Sequence, residues 1–405
     1  MELEITEHFK SLNLDVRKSG DARFSDQKCT PDVVSIIADC VVNIRLGEPL
    51  MPFTVKDIWD SNYFNKHVKA VFNKPSAQNP TTKSEYDKFI QQPLRLLAYA
   101  NVLKIERRGN TNHYTINNGE LLDYIALKDR NAYVFLSAYF SKVLGDSGML
   151  RYFDEYRDKY LAGKLKQSDF DSLKYRFQTF MTGNTRIDGT TEVNRIFPKI
   201  LNVYACENSL PGSAKGKMTA HPFSYSDLMY NRPNWRDGNK NKQISRQEAI
   251  IEVSKLPVTN VSWDNYLIQK AITNIKRWHP DSEVKDQWSY GEATQVHHIF
   301  PANEFPLLAH YVENLIRLTP TQHNTKAHPS NNTRIVDRDY QSVCVIAKSH
   351  SIENSIKAFG ERFYKKSSFV YVVNTGLNLE TVSELKPDLT FNELRNKIIH
   401  IYNNS

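Results

Sequence analysis

Cysteine is scarce and scattered: Cys29, Cys40, Cys206 and Cys344 are the only four in 405 residues, and no two form a Cys-x-x-Cys pair. That usage excludes a disulfide framework and fits buried free thiols in a reducing compartment. Long apolar runs are missing too, and none reaches the ~20 residues that cross a bilayer. The opening Met1-Glu-Leu-Glu-Ile-Thr-Glu7 has neither the basic nor the apolar region of a leader peptide, so the expected location is the cytoplasm, with no membrane partner. Internal repeats and low-complexity tracts are also absent. What remains is a globular chain long enough for two or three domains. Its net charge of +8 points to a polyanionic partner.

From the N-terminus, a short amphipathic segment leads into the polar stretch Ser19 to Lys28. Asp26-Gln-Lys28, with Pro31-Asp32 nearby, resembles the Asp-x-Lys motif of one nuclease fold, but the order is reversed from what that fold needs and no strand pattern surrounds it. Thr30-Pro-Asp32 reads as a helix start, with Thr30 as N-cap and Pro31 in the first turn. Val33 to Ile44, a segment capped by Thr54, and a longer one capped by Ser84 and running to Ala100 follow on helical spacing. Val102 to Ile116 then reads as a hairpin turning at Gly109-Asn110. Helices followed by a basic-tipped hairpin resemble a winged-helix module, in which the last helix enters the DNA major groove and the wing touches phosphate. Lys88, Gln91 and Arg95 on that helix and Arg107 and Arg108 at the wing are the contact residues this implies.

Residues 120 to 200 read as mostly helical, with Ala132 to Val143 and Phe170 to Phe180 apolar enough to be buried helices. Residues 205 to 246 are rich in Gly, Pro, Asn and Lys, which predicts a linker or, equally, a clamp on the DNA backbone through Arg232, Arg236, Lys240 and Lys242 with Trp235 stacking or wedging. Ile250 to Trp278 and Val343 to Arg362 are expected helices, Ser368 to Asn374 an expected strand because Phe369, Tyr371 and Val373 alternate, and Leu389 to Ile401 a closing helix.

The chemistry sits in Gln295-Val-His-His-Ile-Phe-Pro301 and Glu313 to Lys326. The first is a β-branched and aromatic run, so His297 and His298 belong on or just after a strand that Pro301 ends. In the second, an apolar turn breaks at Pro320 and a helix restarts with Thr321 as N-cap, placing His323 in its first turns. A lone His-His pair is more often structural than catalytic. His328, five residues past His323, falls off the same α-helical face and reads as a surface residue or phosphate contact. His310 reads as surface.

Strand, loop and helix with histidines at these places resemble the ββα-metal core of the HNH nuclease family. The resemblance implies that His298 is the general base, that His297 and His323 hold one divalent ion, and that Asn314 holds the loop and orients His298. Asn324 and Lys326 fall where the family often has Asn and Lys, Lys326 as a DNA contact. Thr319 and Gln322 stand where cysteines of a zinc knuckle would be, so no structural zinc is expected. Two protein ligands leave room for hard oxygens, so the expected ion is weakly held Mg2+, with Mn2+ substituting.

The expected fold class is α+β: a mainly helical multidomain protein with an N-terminal winged-helix-like module (1-118), a helical middle domain with basic loops (119-235), an HNH nuclease core (236-345) and a C-terminal capping or dimer-contact segment (346-405). The combination is similar to type II restriction endonucleases of the HNH class. That implies hydrolysis of double-stranded DNA to 5′-phosphate and 3′-hydroxyl ends, a homodimer, and a cognate methyltransferase in the same system. Homing, nicking or modification-dependent HNH enzymes, and a winged-helix regulator with an inactive nuclease domain, are the alternatives.

Overall fold

The computed structural model describes residues 2–45, 50–72, 83–230, 261–328, 336–379 and 385–403. The chain is mainly helical, with three small antiparallel sheets among the described residues. It clusters into two compact units, Glu2–Pro257 and Val258–Ser405. No helix among the described residues is long and apolar enough to cross a membrane.

The larger unit begins with α1 (Glu2–Lys10), the single turn α2 (Val16–Ser19) and α3 (Pro31–Ile44), followed by α4 (Val55–Asp60), α5 (Asn62–Phe72) and α6 (Lys83–Tyr99). Thr30 occupies the cap position of α3 and Pro31 its first turn, but the Thr30 hydroxyl donates to the Asp32 carboxylate rather than capping the backbone. Thr54 and Asp57 close a reciprocal capping box on α4. Ser84 lies inside α6 rather than before it, and Pro93 interrupts that helix's hydrogen-bond ladder. β1 (Leu103–Arg108) and β2 (Thr111–Ile116) form the hairpin, and Phe53 bridges to Tyr114 on its far edge. Then come α7 (Gly119–Leu127), α8 (Asp129–Asp146), α9 (Leu150–Leu161), α10 (Gln167–Asn184) and α11 (Thr190–Glu207). Helix α3, buried along almost its whole length, packs on both α7 and α8, so the segments before and after residue 118 share one core.

The linker reading of 205 to 246 needs correction in its first part. Pro211–Ala214 (β3) and Lys217–Pro222 (β4) are paired strands. Lys215 and Gly216, with φ of 51° and 79°, make the two-residue turn that such a hairpin requires. The short α12 (Tyr225–Leu228) follows. Arg232, Trp235, Arg236, Lys240 and Lys242 lie outside the described residues.

The smaller unit holds α13 (Val261–Trp278), the strand pair β5 (Gln295–His298) and β6 (Leu315–Leu318), α14 (Arg338–Phe359), α15 (Lys366–Gly376) and α16 (Phe391–Asn403). Residues 250–260 of the expected first helix are not among those described. The strand expected at Ser368 to Asn374 is helix α15 instead. Its buried apolar residues are Phe369, Val370, Val372 and Val373, a helical stripe that the β-branched content disguised as alternation. One apolar cluster runs from α13 through β5 and β6 to α14, α15 and α16, so the C-terminal segment is part of the core that carries the histidines.

Candidate metal centre

β5 and β6 pair antiparallel, with His297 opposite Ile316 and His298 opposite Leu315. Neighbouring strand residues face opposite ways, so the two imidazoles take different surroundings. His297 is only 3% exposed. Its ring stands edge-on to those of His323 and His328, with centroids 5.4 and 4.8 Å away, and the latter two rings are themselves 4.8 Å apart. One ring nitrogen from each of the three lies within 4.8 Å of the others.

The helix that carries two of these rings is unusual. Gln322–Ala327 is a π-helix, and the His328 N–H donates to the His323 carbonyl at 3.0 Å, an i to i+5 bond. In an α-helix five residues make about 1.4 turns and would separate the two side chains. In a π turn they come into line, and such turns gather at functional sites. The expectation that His328 is a surface residue is therefore wrong: it is 7% exposed and completes a three-imidazole cluster.

The helix starts earlier than expected. Thr321 is already helical, Pro320 occupies the first turn, and Thr319 is the cap. The Gln322 N–H donates to Thr319 Oγ1 at 3.2 Å and the Thr319 N–H to Gln322 Oε1 at 3.0 Å, a complete capping box. Gln322 also donates to the Val284 carbonyl and Asp286 Oδ1, its Oε1 accepts from Ser282, and Thr319 Oγ1 donates to the Trp288 carbonyl. Hydrogen bonds from Thr319 and Gln322 thus tie the helix start to the 282–288 loop. Lys326 lies over the Trp288 ring, 4.7 Å from its centroid.

Tautomers follow from the partners. His323 Nδ1 is 2.8 Å from Asn324 Oδ1, which only accepts, so Nδ1 carries the proton and Nε2 keeps its lone pair. His298 Nε2 donates to the Ala309 carbonyl at 3.0 Å, which leaves Nδ1 as the basic nitrogen. His297 Nε2 is buried with no hydrogen-bond partner. Burial pushes all three pKa values below the ordinary histidine range, furthest for His297, where the neighbouring rings of His328, His323 and His298 add to it. The Ala309 carbonyl partly offsets burial at His298, as the Asn324 amide does at His323. The neutral form that results is the one that ligates a metal or accepts a proton.

Asn314 does not touch His298. It is fully buried, accepts from the Phe300 N–H at 2.9 Å, and donates to the carbonyls of Phe300 at 3.0 Å and Leu308 at 3.2 Å. It closes the loop whose Ala309 carbonyl holds His298. The remaining expected contact residues lie in the larger unit: Arg107 and Arg108 are exposed on the hairpin, with Arg108 paired to Glu106 at 2.7 Å, while Lys88, Gln91 and Arg95 share one side of α6. His328 is the site residue that the sequence reading missed. The available signal was density: five of the twelve histidines fall between 297 and 328.

Three imidazoles are a donor set for a divalent transition ion. The orphaned, buried His297 Nε2 fits that use, since a buried polar atom without a partner otherwise costs ~1–3 kcal/mol. Comparison of the chain with known family models, curated proteins and solved structures finds no match.

Proposed function

We propose that the smaller unit is a metal-dependent phosphodiesterase centre of the HNH type and that the chain cuts double-stranded DNA. The observation that carries the reading is the division of labour along β5: His297 joins a three-imidazole cluster with an orphaned nitrogen, while His298, the next residue, is fixed by a carbonyl with its other nitrogen free. His297, His323 and His328 would hold the ion. When bound, it supplies positive charge to the phosphate and the departing oxygen.

His298 Nδ1 accepts the proton of the attacking water, a task for which a neutral imidazole near pH 7 is suited. Asn314 keeps the 300–314 loop closed, so the Ala309 carbonyl holds the tautomer that makes Nδ1 basic. The expectation of weakly held Mg2+ rested on two ligands. With a third imidazole the proposed ion is softer, and Zn2+ or Ni2+ should bind far more tightly than Mg2+.

In the larger unit, the order α3 to α6 followed by β1 and β2, with Phe53 bridging β2, supports a winged-helix reading and a restriction-type enzyme that recognises its site there. The 5′-phosphate and 3′-hydroxyl ends, the homodimer and the cognate methyltransferase belong to the same proposal.

The test is incubation of purified protein with plasmid and phage DNA, with divalent ions or EDTA, beside His298→Ala. Discrete metal-dependent fragments that vanish in the variant are expected. Intact DNA under every ion, with binding retained, would favour the regulator reading.

A further inference from the structure

The polar side of α6 does not stand clear of the larger unit. Lys88, Gln91, Gln92 and Arg95 form one wall of a cleft of about 410 Å3, and the opposite side carries Arg23 from the loop before α3 and Arg195 from the first turns of α11. We propose that this cleft seats the phosphodiester backbone of one strand of the DNA duplex; the proposal rests on the reading of the chain as a DNA-cutting protein.

The first argument is charge. Four cations and two carboxylates line it; Asp26 and Glu192 both pair with Arg23, and Lys88 and Arg195 make no ion pair among the described residues. Among the described residues Arg95 pairs only with Asp21, at 3.8 Å. The lining therefore carries more positive than negative charge, with Lys88 and Arg195 uncompensated, and an anion is drawn to it.

The second is orientation. Arg23 NH1 is fixed between Asp26 Oδ2 at 2.8 Å and Glu192 Oε1 at 2.5 Å. Its Nε and NH2 edge has no hydrogen bond among the described residues. A guanidinium anchored on one side and open on the other is a ready fork for phosphate oxygens. Similarly, Gln92 Oε1 is held by the Lys28 N–H at 2.9 Å, which turns its amide so that Nε2 remains as a donor.

The third is size and lining. The volume sits near the lower end of the ~300–1,000 Å3 of small-ligand pockets, too small to take a whole duplex. No aromatic side chain lines the cleft, so an extruded base would find no stacking platform. One strand of backbone meets both limits. This changes the winged-helix expectation: α6 works as a wall of a cleft shared with α11, not as a helix inserted alone into the major groove.

The experiment is a salt titration of duplex DNA binding, followed by fluorescence anisotropy, on the uncut complex of the His298→Ala protein. Lys88→Ala with Arg195→Ala, both at exposed positions, should lower the slope of log affinity against log salt by about 2, and Arg23→Gln by about 1 more. Equal melting temperatures check the fold. An unchanged slope overturns the proposal, as does displacement of DNA by inorganic phosphate or a mononucleotide at micromolar concentration, which marks a small-molecule site. Cleavage by the wild-type protein is measured in parallel. Cutting with an unchanged slope sinks the cleft and leaves the nuclease reading, while a changed slope without any cutting does the reverse.

Discussion

Asn314 grips Phe300 at both of its backbone polar groups, accepting from the N–H and donating to the C=O. The two residues lie fourteen positions apart, and the loop between them carries the Ala309 carbonyl that orients His298. One amide side chain therefore determines whether the loop is closed.

Asn314→Asp keeps the shape and removes the donor. Two buried carbonyls, those of Phe300 and Leu308, lose their partner and a carboxylate is buried beside them. The expected loss is about 3 kcal/mol or more in urea unfolding. Cleavage should fall with it even at temperatures where the variant stays folded, and full activity in a folded variant would show that the loop does not position His298.

Gly376 ends α15 against the face of Phe300, and a Cβ at that position would overlap the ring. Gly376→Ala has to push aside an aromatic side chain two residues after His298. We expect a cost of about 1–3 kcal/mol from overpacking, read as a lower melting temperature. Pairing it with Phe300→Leu should recover part of the loss, and additivity of the two changes would refute the contact.

Metal binding can be followed without any nuclease activity, by isothermal titration with Zn2+ or Ni2+. His328→Ala should weaken binding more than Asn324→Ala. The latter removes only the group that fixes the His323 tautomer, for which a loss of about 10–100-fold is expected. Equal affinity in wild type and His328→Ala would return the site to two protein ligands.

Acid sensitivity has a source away from the metal centre. His279 Nε2 accepts from the Tyr364 hydroxyl at 2.6 Å, the same hydroxyl accepts from Lys348 at 3.0 Å, and Lys348 pairs with Glu283 at 3.1 Å. Burial brings the His279 pKa down to about 4, against an upward pull from Glu283 and with the charges of Lys348 and Arg317 adding to the fall. The unfolded chain takes up a proton near the ordinary value of ~6.5, before the folded one does. Stability from this group is therefore complete above pH ~6.5 and drains away as the pH falls to about 4, a loss of order a few kcal/mol. His279→Gln, which still accepts from Tyr364, should flatten that part of the stability curve. An unchanged curve would place the acid sensitivity elsewhere.

The parts of this chain that local rules describe were legible. Thr54 and Asp57 announce a helix start, Gly109-Asn110 a tight turn, and His297-His298 before Pro301 a strand end. The misreadings share a physical cause, since each depends on a choice between two local solutions that tertiary contacts decide. Phe369 to Val373 satisfies both a strand and a helix pattern, and packing against Phe300 and its neighbours selects the helix. Thr319-Pro-Thr-Gln322 contains two possible caps, and the bonds from Gln322 to Val284 and Asp286 select Thr319. His328 was discounted by α-helical spacing, which the chain abandons there for a wider turn. The cleft on α6 was not legible at all, because Arg23, Arg95 and Arg195 meet only when three distant segments pack together.

That wider turn makes the helix at His323 tolerant of a change that ruins most helices. Deleting one residue from an α-helix rotates everything after it away from its partners. Between His323 and His328 the same deletion, for instance of Thr325, would draw the π turn back to ordinary α pitch and leave the two histidines four apart, again on one face. Chain length at this point can therefore vary by one residue while the imidazole cluster is kept, so two proteins that differ by such a gap could carry the same centre.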